Sequence, residues 1–323
     1  MSADPAAVGL RARPGPWVHW VSASLVILLW GGSYAATRAA VREFPPLLLA
    51  FLRFALAGLI FWPFVRARCA GVRLAPADRW SAAGLGLTGV TLYFAFENLG
   101  LARTTASHGA LIIATIPLAT ALAEAVRRRR RPRPRVLLGL ATALVGVGVI
   151  VGADAGPDAT ALGDGLMFGA VGSWVAYTFL ADRLGRRYPN LWVTQAAMLT
   201  GAAFLAPLAA VEWAVAPPAA APSPAGWAAF LYLSVLCSAL GYLLWNAAIP
   251  ALGTTAVNTL IYGIPLAGVA SGVVFLGEPL SGTMLWGAAL ILAGVWAATR
   301  AEVKNSGPDA VSYAGAGSEG DRG

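Results

Sequence analysis

Ile116-Pro117-Leu118-Ala119 returns 148 residues later as Ile264-Pro265-Leu266-Ala267, and the register continues without a gap on both sides. At the same offset Asn98 meets Asn246, while Leu137, Gly139, Ala141, Leu144, Gly146 and Val147 meet Leu285, Gly287, Ala289, Leu292, Gly294 and Val295. One register shared by three apolar segments marks a duplicated unit. Around it run ten apolar stretches of roughly 17 to 23 residues, each able at about 1.5 Å per residue to cross a hydrocarbon core of about 30 Å. They cover 20–37, 47–65, 81–101, 106–123, 136–152, 162–181, 191–211, 225–247, 254–276 and 284–299. Five fall in each unit, and an odd number of crossings turns the second unit upside down relative to the first. The expected fold is an all-α membrane protein of ten transmembrane helices in two inverted five-helix repeats.

Composition and charge agree. Of 323 residues, 58% are hydrophobic and only 12% charged, with a mean hydropathy of +0.68, whereas soluble domains carry about 25% charged residues. With the N-terminus in the cytoplasm, the basic residues fall on the inner side except Arg38, Arg42, Arg53 and Arg103, which orients the chain with both termini cytoplasmic. The loops support the inversion: 127–135, rich in arginine, aligns with 275–283, which holds Glu278 and no basic residue. The expected divisions are a cytoplasmic N-terminal segment (1–17), a first repeat (18–153), a second repeat (160–300) and a cytoplasmic tail too polar to bury (301–323). The basic start reads as a retained first helix, not a cleaved signal peptide.

Several function classes drop out. The single lysine, Lys304, lies in the tail, so no Schiff base forms inside the bundle, and without G-x-x-x-x-G-K-[ST] the chain has no P-loop. Neither H-E-x-x-H nor G-x-S-x-G occurs, and His19 and His108 are too far apart to suggest a metal site. No cofactor is implied, and the chain does not read as an enzyme. Cys69 and Cys237 read as free thiols. The arginines that raise the pI to about 10.1 serve topology and anionic lipid, not nucleic acid. Gly165-x-x-x-Gly169 and Gly268-x-x-x-Gly272 permit close helix contacts within or between chains, leaving monomer and homodimer both open. Abundant alanine, with arginine in place of lysine, points to a bacterial source, hence a multi-pass protein of the bacterial inner (plasma) membrane.

These residues also resemble a family, the ten-helix permeases of the drug/metabolite transporter superfamily built from two EamA-type repeats. The opening Trp30-Gly31-Gly32-Ser33-Tyr34, followed by Arg38, Pro45-Pro46-Leu47-Leu48 and Arg53, is similar to that family's W-G-x-x-F/Y…K…P-x-x-x…R pattern, with arginine for the usual lysine at Arg38. Glu97-Asn98-Leu99-Gly100-Leu101 with Thr104-Thr105-Ala106-Ser107 and Pro117, and Phe275-Leu276-Gly277-Glu278-Pro279-Leu280 near the end, complete the likeness. The resemblance implies a secondary transporter moving a small organic molecule by alternating access.

Polar side chains in hydrocarbon must face protein or water, so helix-spaced polar stripes mark candidate cavity walls. The candidates are Trp30, Ser33 and Tyr34 on the first helix, Asn98 on the third, His108 on the fourth, Trp174 and Tyr177 on the sixth, Tyr242 and Asn246 on the eighth, and Asn258 and Tyr262 on the ninth. Pro117 and Pro265 are paired candidates for a hinge or a fixed kink. Glu97 reads as the one carboxylate well inside an apolar segment, either carrying a proton or pairing with Arg38, Arg53 or His108. Glu124 and Glu278 read as interfacial charges. The aromatic and neutral polar lining suits an amino acid-like metabolite or an amphipathic drug. A non-transporting scaffold and a membrane enzyme on lipid-linked substrates are the alternatives; the first lacks an appended soluble domain and the second a catalytic constellation.

Overall fold

The computed structural model describes residues 16–127, 129, 131, 134–153, 160–218, 220–252 and 260–303. Among them there is no strand. The helices are α1 (Pro16–Ala40), α2 (Pro46–Arg68), α3 (Arg79–Gly86), α4 (Tyr93–Leu101), α5 (Ala106–Ile113), α6 (Ile116–Arg127), α7 (Pro134–Ala153), α8 (Ala161–Gly185), α9 (Asn190–Val215), α10 (Pro224–Leu231), α11 (Gly241–Leu252), α12 (Ile264–Leu276) and α13 (Gly282–Val303). Their ends follow the sequence. Thr105, Thr160 and Ser223 accept the first free amides of α5, α8 and α10, and Gly277, at φ 67°, closes α12 in the left-handed conformation. Five helical stretches are long and apolar enough to cross a membrane: Trp17–Ala40, Pro46–Arg68, Ala106–Arg127, Asn190–Val215 and Pro224–Ala248. Pro134–Ile150, Ile264–Leu276 and Gly282–Ala297 are shorter apolar helices. The chain is a multi-pass membrane protein.

The duplication is visible in the contacts. Asn98 Nδ2 donates to Pro46 O at 2.8 Å, and 148 residues on Asn246 Nδ2 donates to Thr194 Oγ1 at 3.2 Å. Contacts between the halves recur when the halves exchange places. Arg53 meets Ser238, and Gly201 meets Val90; Cys237 meets Leu29, and Gly89 meets Tyr177; Gly32 meets Tyr232, and Leu180 meets Gly84. The α7–α13 seam obeys the same rule, with Gly139 against Gly294 and Gly146 against Gly287. Residue numbers rise along one helix as they fall along the other, so the two run antiparallel. Their glycines let the backbones touch without intervening Cβ atoms.

Irregularities are duplicated as well. A π-helical stretch, Leu87–Leu92, joins α3 to α4, and its counterpart, Tyr232–Leu240, joins α10 to α11. The segment expected as one helix over 106–123 breaks at Ala114 and Thr115, and the equivalent residues ahead of α12 form a 3₁₀ turn, Ile261–Gly263. Each break immediately precedes the Ile-Pro pair, whose proline takes the second position of the new helix, where its missing amide removes no hydrogen bond.

Two boundaries differ from expectation. α1 begins at Pro16, inside the segment assigned to 1–17, and α13 continues through Val303, past the expected start of the tail at 301. Residues 304–323 lie outside the described residues. The two ends of the bundle differ in charge. One gathers Arg66, Arg68, Arg79, Arg127, Arg183 and Arg187, while the other holds Glu43, Glu212, Glu278 and Asp164.

Candidate functional site

Between the halves lies a cage of rings around two buried charges. Arg53 on α2 and Glu97 on α4 are 4% and 5% exposed. Tyr93 Oη, one helical turn before Glu97, donates to Glu97 Oε1 at 3.2 Å. Arg53 Nε donates to Ser238 Oγ at 2.8 Å, and its guanidinium lies 4.7 Å from the Phe94 ring centre and 5.3 Å from that of Phe54, a cation–π arrangement strengthened by exclusion of water. Tyr34 and Tyr242 lie near both charges.

The walls come from both halves. Trp30 on α1 packs on Tyr242 and Trp245 at ring distances of 5.3 and 5.1 Å and donates Nε1 to Cys237 O at 3.0 Å. On the opposite side Tyr93 meets Trp174 at 4.9 Å, and Trp174 meets Tyr177 at 4.8 Å. Beside them a cavity of about 10 Å³ is lined by Phe54, Gly89, Val90, Tyr177, Thr194, Ala197, Met198 and Tyr242. That is below the roughly 300 Å³ at which ligand pockets begin, so the cage is contracted.

The structure thus brings together Trp30, Tyr34, Arg53, Glu97, Trp174, Tyr177, Tyr242 and Asn246. It puts other candidates elsewhere. Ser33 Oγ donates to Trp30 O within its own helix, the usual fate of a hydroxyl on an apolar helix. Asn98 joins α4 to the start of α2. Arg38 Nη1 donates to Leu101 O at 2.7 Å, serving the free carbonyls at the end of α4. Pro265 is buried, whereas Pro117 is half-buried, and each is the second residue of a helix, where its missing amide removes no hydrogen bond. Asn258 and the Tyr262 side chain lie outside the described residues.

His108 does not pair with Glu97. It belongs to a separate buried cluster in which Thr104 Oγ1 donates to Asp164 Oδ1 at 2.6 Å and His108 Nδ1 lies 3.4 Å from both Asp164 oxygens. Glu97 is thus one of three buried carboxylates among the described residues, with Asp164 at 4% and Asp78 at 0% exposure. The sequence conceals Asp164 because it sits in the first turn of α8, where an acidic residue usually complements the helix dipole at the surface. Tyr93 was also missed; its spacing of four residues from Glu97 was the available signal. Glu278, expected as an interfacial charge, instead accepts from Ala106 N at 2.7 Å and Ser107 N at 3.0 Å, capping α5. Cys69 and Cys237 are free and buried. Among the described residues no group of His, Cys, Asp and Glu could hold a metal.

An all-helical, duplicated membrane bundle with a polar centre between its halves suits a permease. The model of the EamA-like transporter family matches twice, over residues 18–152 and 161–300. An uncharacterized transporter of Archaeoglobus fulgidus is 31% identical over 85% of this chain and 95% of its own length. A protein of Streptantibioticus cattleyicolor named a probable terminal-alkyne amino-acid exporter is 30% identical over 84% of this chain and 90% of its own. A probable amino-acid metabolite efflux pump of Salmonella typhimurium shares 42% identity over 20% of this chain and 22% of its own length. A solved crystal structure, 23% identical, superposes with a TM-score of 0.62 over 89% of this chain and 98% of its own, which shows a common fold. The chain belongs to the EamA-like transporter family and is a membrane transporter, not an enzyme.

Proposed function

We propose that the chain crosses the bacterial plasma membrane ten times and exports a small amphipathic, amino acid-like metabolite by alternating access at the Arg53–Glu97 cage. The observation that carries this reading is a buried cation and a buried carboxylate inside one aromatic cage with walls from both halves. Isolated charges are costly in hydrocarbon, and this pair offers opposite charges to a substrate bearing a carboxylate and an ammonium group, with the rings receiving its apolar part. The exporter and efflux-pump names of the relatives favour the same class. The two halves, related by exchange across the α7–α13 seam, are inverted in the bilayer, and rocking between them exposes the cage to each side in turn. The arginine-rich end faces the cytoplasm with both termini. Glu97 exchanges a proton during the cycle, which couples export to the proton gradient.

Purified protein in proteoliposomes tests the reading through counterflow of labelled amino acids and amphipathic cations. Arg53→Gln should lower uptake of carboxylate-bearing substrates by at least about tenfold while leaving the unfolding temperature near that of the native chain. Glu97→Gln should keep counterflow and lose the response to a pH gradient. Counterflow unaffected by Arg53→Gln would overturn the cage as the substrate site, and a pH-driven flux surviving Glu97→Gln would overturn the coupling.

A further inference from the structure

Two polar ties join the halves at opposite ends of the bundle, and they occupy corresponding places when the halves exchange. At the basic end, the turn between α8 and α9 reaches the residues leading into α3. Arg187 Nη1 donates to both Asp78 oxygens at 3.2 and 3.1 Å, Tyr188 Oη donates to Asp78 Oδ2 at 3.0 Å, and Arg183 stands 3.9 Å away. Tyr188 Oη also accepts from Ala75 N at 3.0 Å, while its ring stacks on Trp192 at 4.8 Å. At the acidic end, the turn between α1 and α2 reaches the start of α10, where Glu43 accepts from Ser223 N and, at 2.9 Å, from Ser223 Oγ. In both cases the first turn of one half grips the entry to the third helical segment of the other.

The chemistry of the two ties differs. Glu43 is held by neutral donors. Asp78 is held by two guanidinium groups and a phenol, its side chain 1% exposed while those of Arg187 and Arg183 remain 59% and 58% exposed. A carboxylate sealed beneath half-exposed cations is a tie that anions and salt can reach from one side of the membrane only.

We infer that Asp78, Arg187 and Tyr188 form the gate at the basic end of the transport path, positioning residues that hold that end shut until the halves part. This rests on the transporter reading above. The elements they join belong to different halves, the entry to α3 and the α8–α9 turn, and the gate reading requires these to part at one stage of the cycle. The released element leads to the cage: α3 passes through the π-helical stretch Leu87–Leu92 into α4, which carries Tyr93 and Glu97. A π-helical stretch holds a residue more per turn than the α-helix around it and is a common site of register change. Gly86 and Gly89 within this region lie directly against Thr200 and Tyr177 of the other half, so a shift of α3 is felt where the rings meet.

The chain carries its own reporter. Cys69, at the end of α2, is 8% exposed and buried in the same apolar cluster as Val65, Ala82 and Leu184, under the tie, whereas Cys237 lies in the centre at 0%. Proteoliposomes holding the full chain would be treated, without substrate, with a membrane-impermeant maleimide from the basic side, and labelling at each cysteine read by peptide mass spectrometry. Asp78→Asn and Arg187→Gln should each raise the Cys69 labelling rate by at least about fivefold, with Cys237 labelling unchanged. The exchange of Asp78→Arg with Arg187→Asp should return it toward the native rate, and Glu43→Gln should leave it unaltered. Native labelling of Cys69 in both single variants would overturn the gate, as would a rise at Cys69 and Cys237 together with a lower unfolding temperature, which marks general loosening. Because labelling needs no substrate, a missing counterflow signal would count against the transporter reading alone.

Discussion

Gly146→Val tests the seam on which the two halves meet. A Cβ at Gly146 would stand 2.6 Å from Gly287 O, 2.9 Å from Ile291 Cγ1 and 2.9 Å from Leu290 Cβ. The first neighbour is backbone and cannot rotate away. Nor can the helices slide, because Gly139 meets Gly294 one contact further along. Overpacking of a tight core costs about 1–3 kcal/mol, and a branched side chain against backbone belongs at the upper end. Valine regains only a few tenths of a kcal/mol over glycine in helix propensity, so the expected loss is about 2–3 kcal/mol. At roughly 2 °C per kcal/mol for a chain of this size, unfolding should come about 4–6 °C earlier. Gly148→Ala is the matched control, since a Cβ there meets nothing within 4 Å, and alanine should stabilise by about 0.5–1 kcal/mol. Unfolding of detergent-purified protein can be followed with a thiol-reactive fluorophore, because Cys69 and Cys237 are both buried. A Gly146→Val protein as stable as the native chain, or a Gly148→Ala protein that loses as much, would refute the close-packed seam.

Asp164→Ala strips the acceptor from Thr104 and the partner from His108; breaking such a buried pair should cost about 3 kcal/mol, and Asp164→Asn, which keeps an acceptor, about 1 kcal/mol, read by the same unfolding assay. Trp30→Ala removes ring contacts with Tyr242 and Trp245 worth about 0.5–1.5 kcal/mol each, so ligand-induced thermal shifts should weaken more than the fold itself. Burial alone would push the Asp78 carboxyl up, but hydrogen bonds from Tyr188 and Arg187 and the charges of Arg187 and Arg183 outweigh it and hold the group below the usual carboxylate range. Its contribution is therefore complete above the ordinary carboxylate pKa of about 3.9 and is lost only as pH falls through the lowered folded value. The difference in unfolding temperature between native and Asp78→Asn protein should stay constant from pH 8 to 6 and shrink only in strong acid. A difference that collapses between pH 7 and 6 would show that Asp78 is not held in this way.

The duplicated frame was legible because an ungapped register survives in the residues that govern backbone approach: Gly139 with Gly287, Gly146 with Gly294, and the two Ile-Pro pairs. Partnerships were less legible, because they depend on which helix faces which. The tie of Glu97 to Tyr93 was marked only by a spacing of four residues, and nothing near His108 in the chain points to Asp164, 56 residues away. The prolines illustrate the limit well. Pro117 and Pro265 were readable as sites of irregularity, yet the sequence suggested bends inside continuous helices. In the fold each stands at the start of a new helix, because a proline in the first turn sacrifices no helical hydrogen bond. The π-helical stretches contain no proline, and their only trace is glycine at 86, 89 and 241, where another element comes close.

Within this symmetric frame, departures from symmetry locate the chemistry. The position equivalent to Arg53 in the second half is Gly201, and the position equivalent to Glu97 is Trp245. Both buried charges of the cage therefore belong to the first half, while the second supplies rings and small residues at the matching places. Gly201 lets Val90 approach closely; its counterpart Arg53 fills the same space with a guanidinium bonded to Ser238. Exchange of the halves preserves the backbone contacts between helices, but it does not preserve the charge pattern at the centre. In the proposed cycle, a ligand bound between the halves would keep its polar end on the first half while access changes sides.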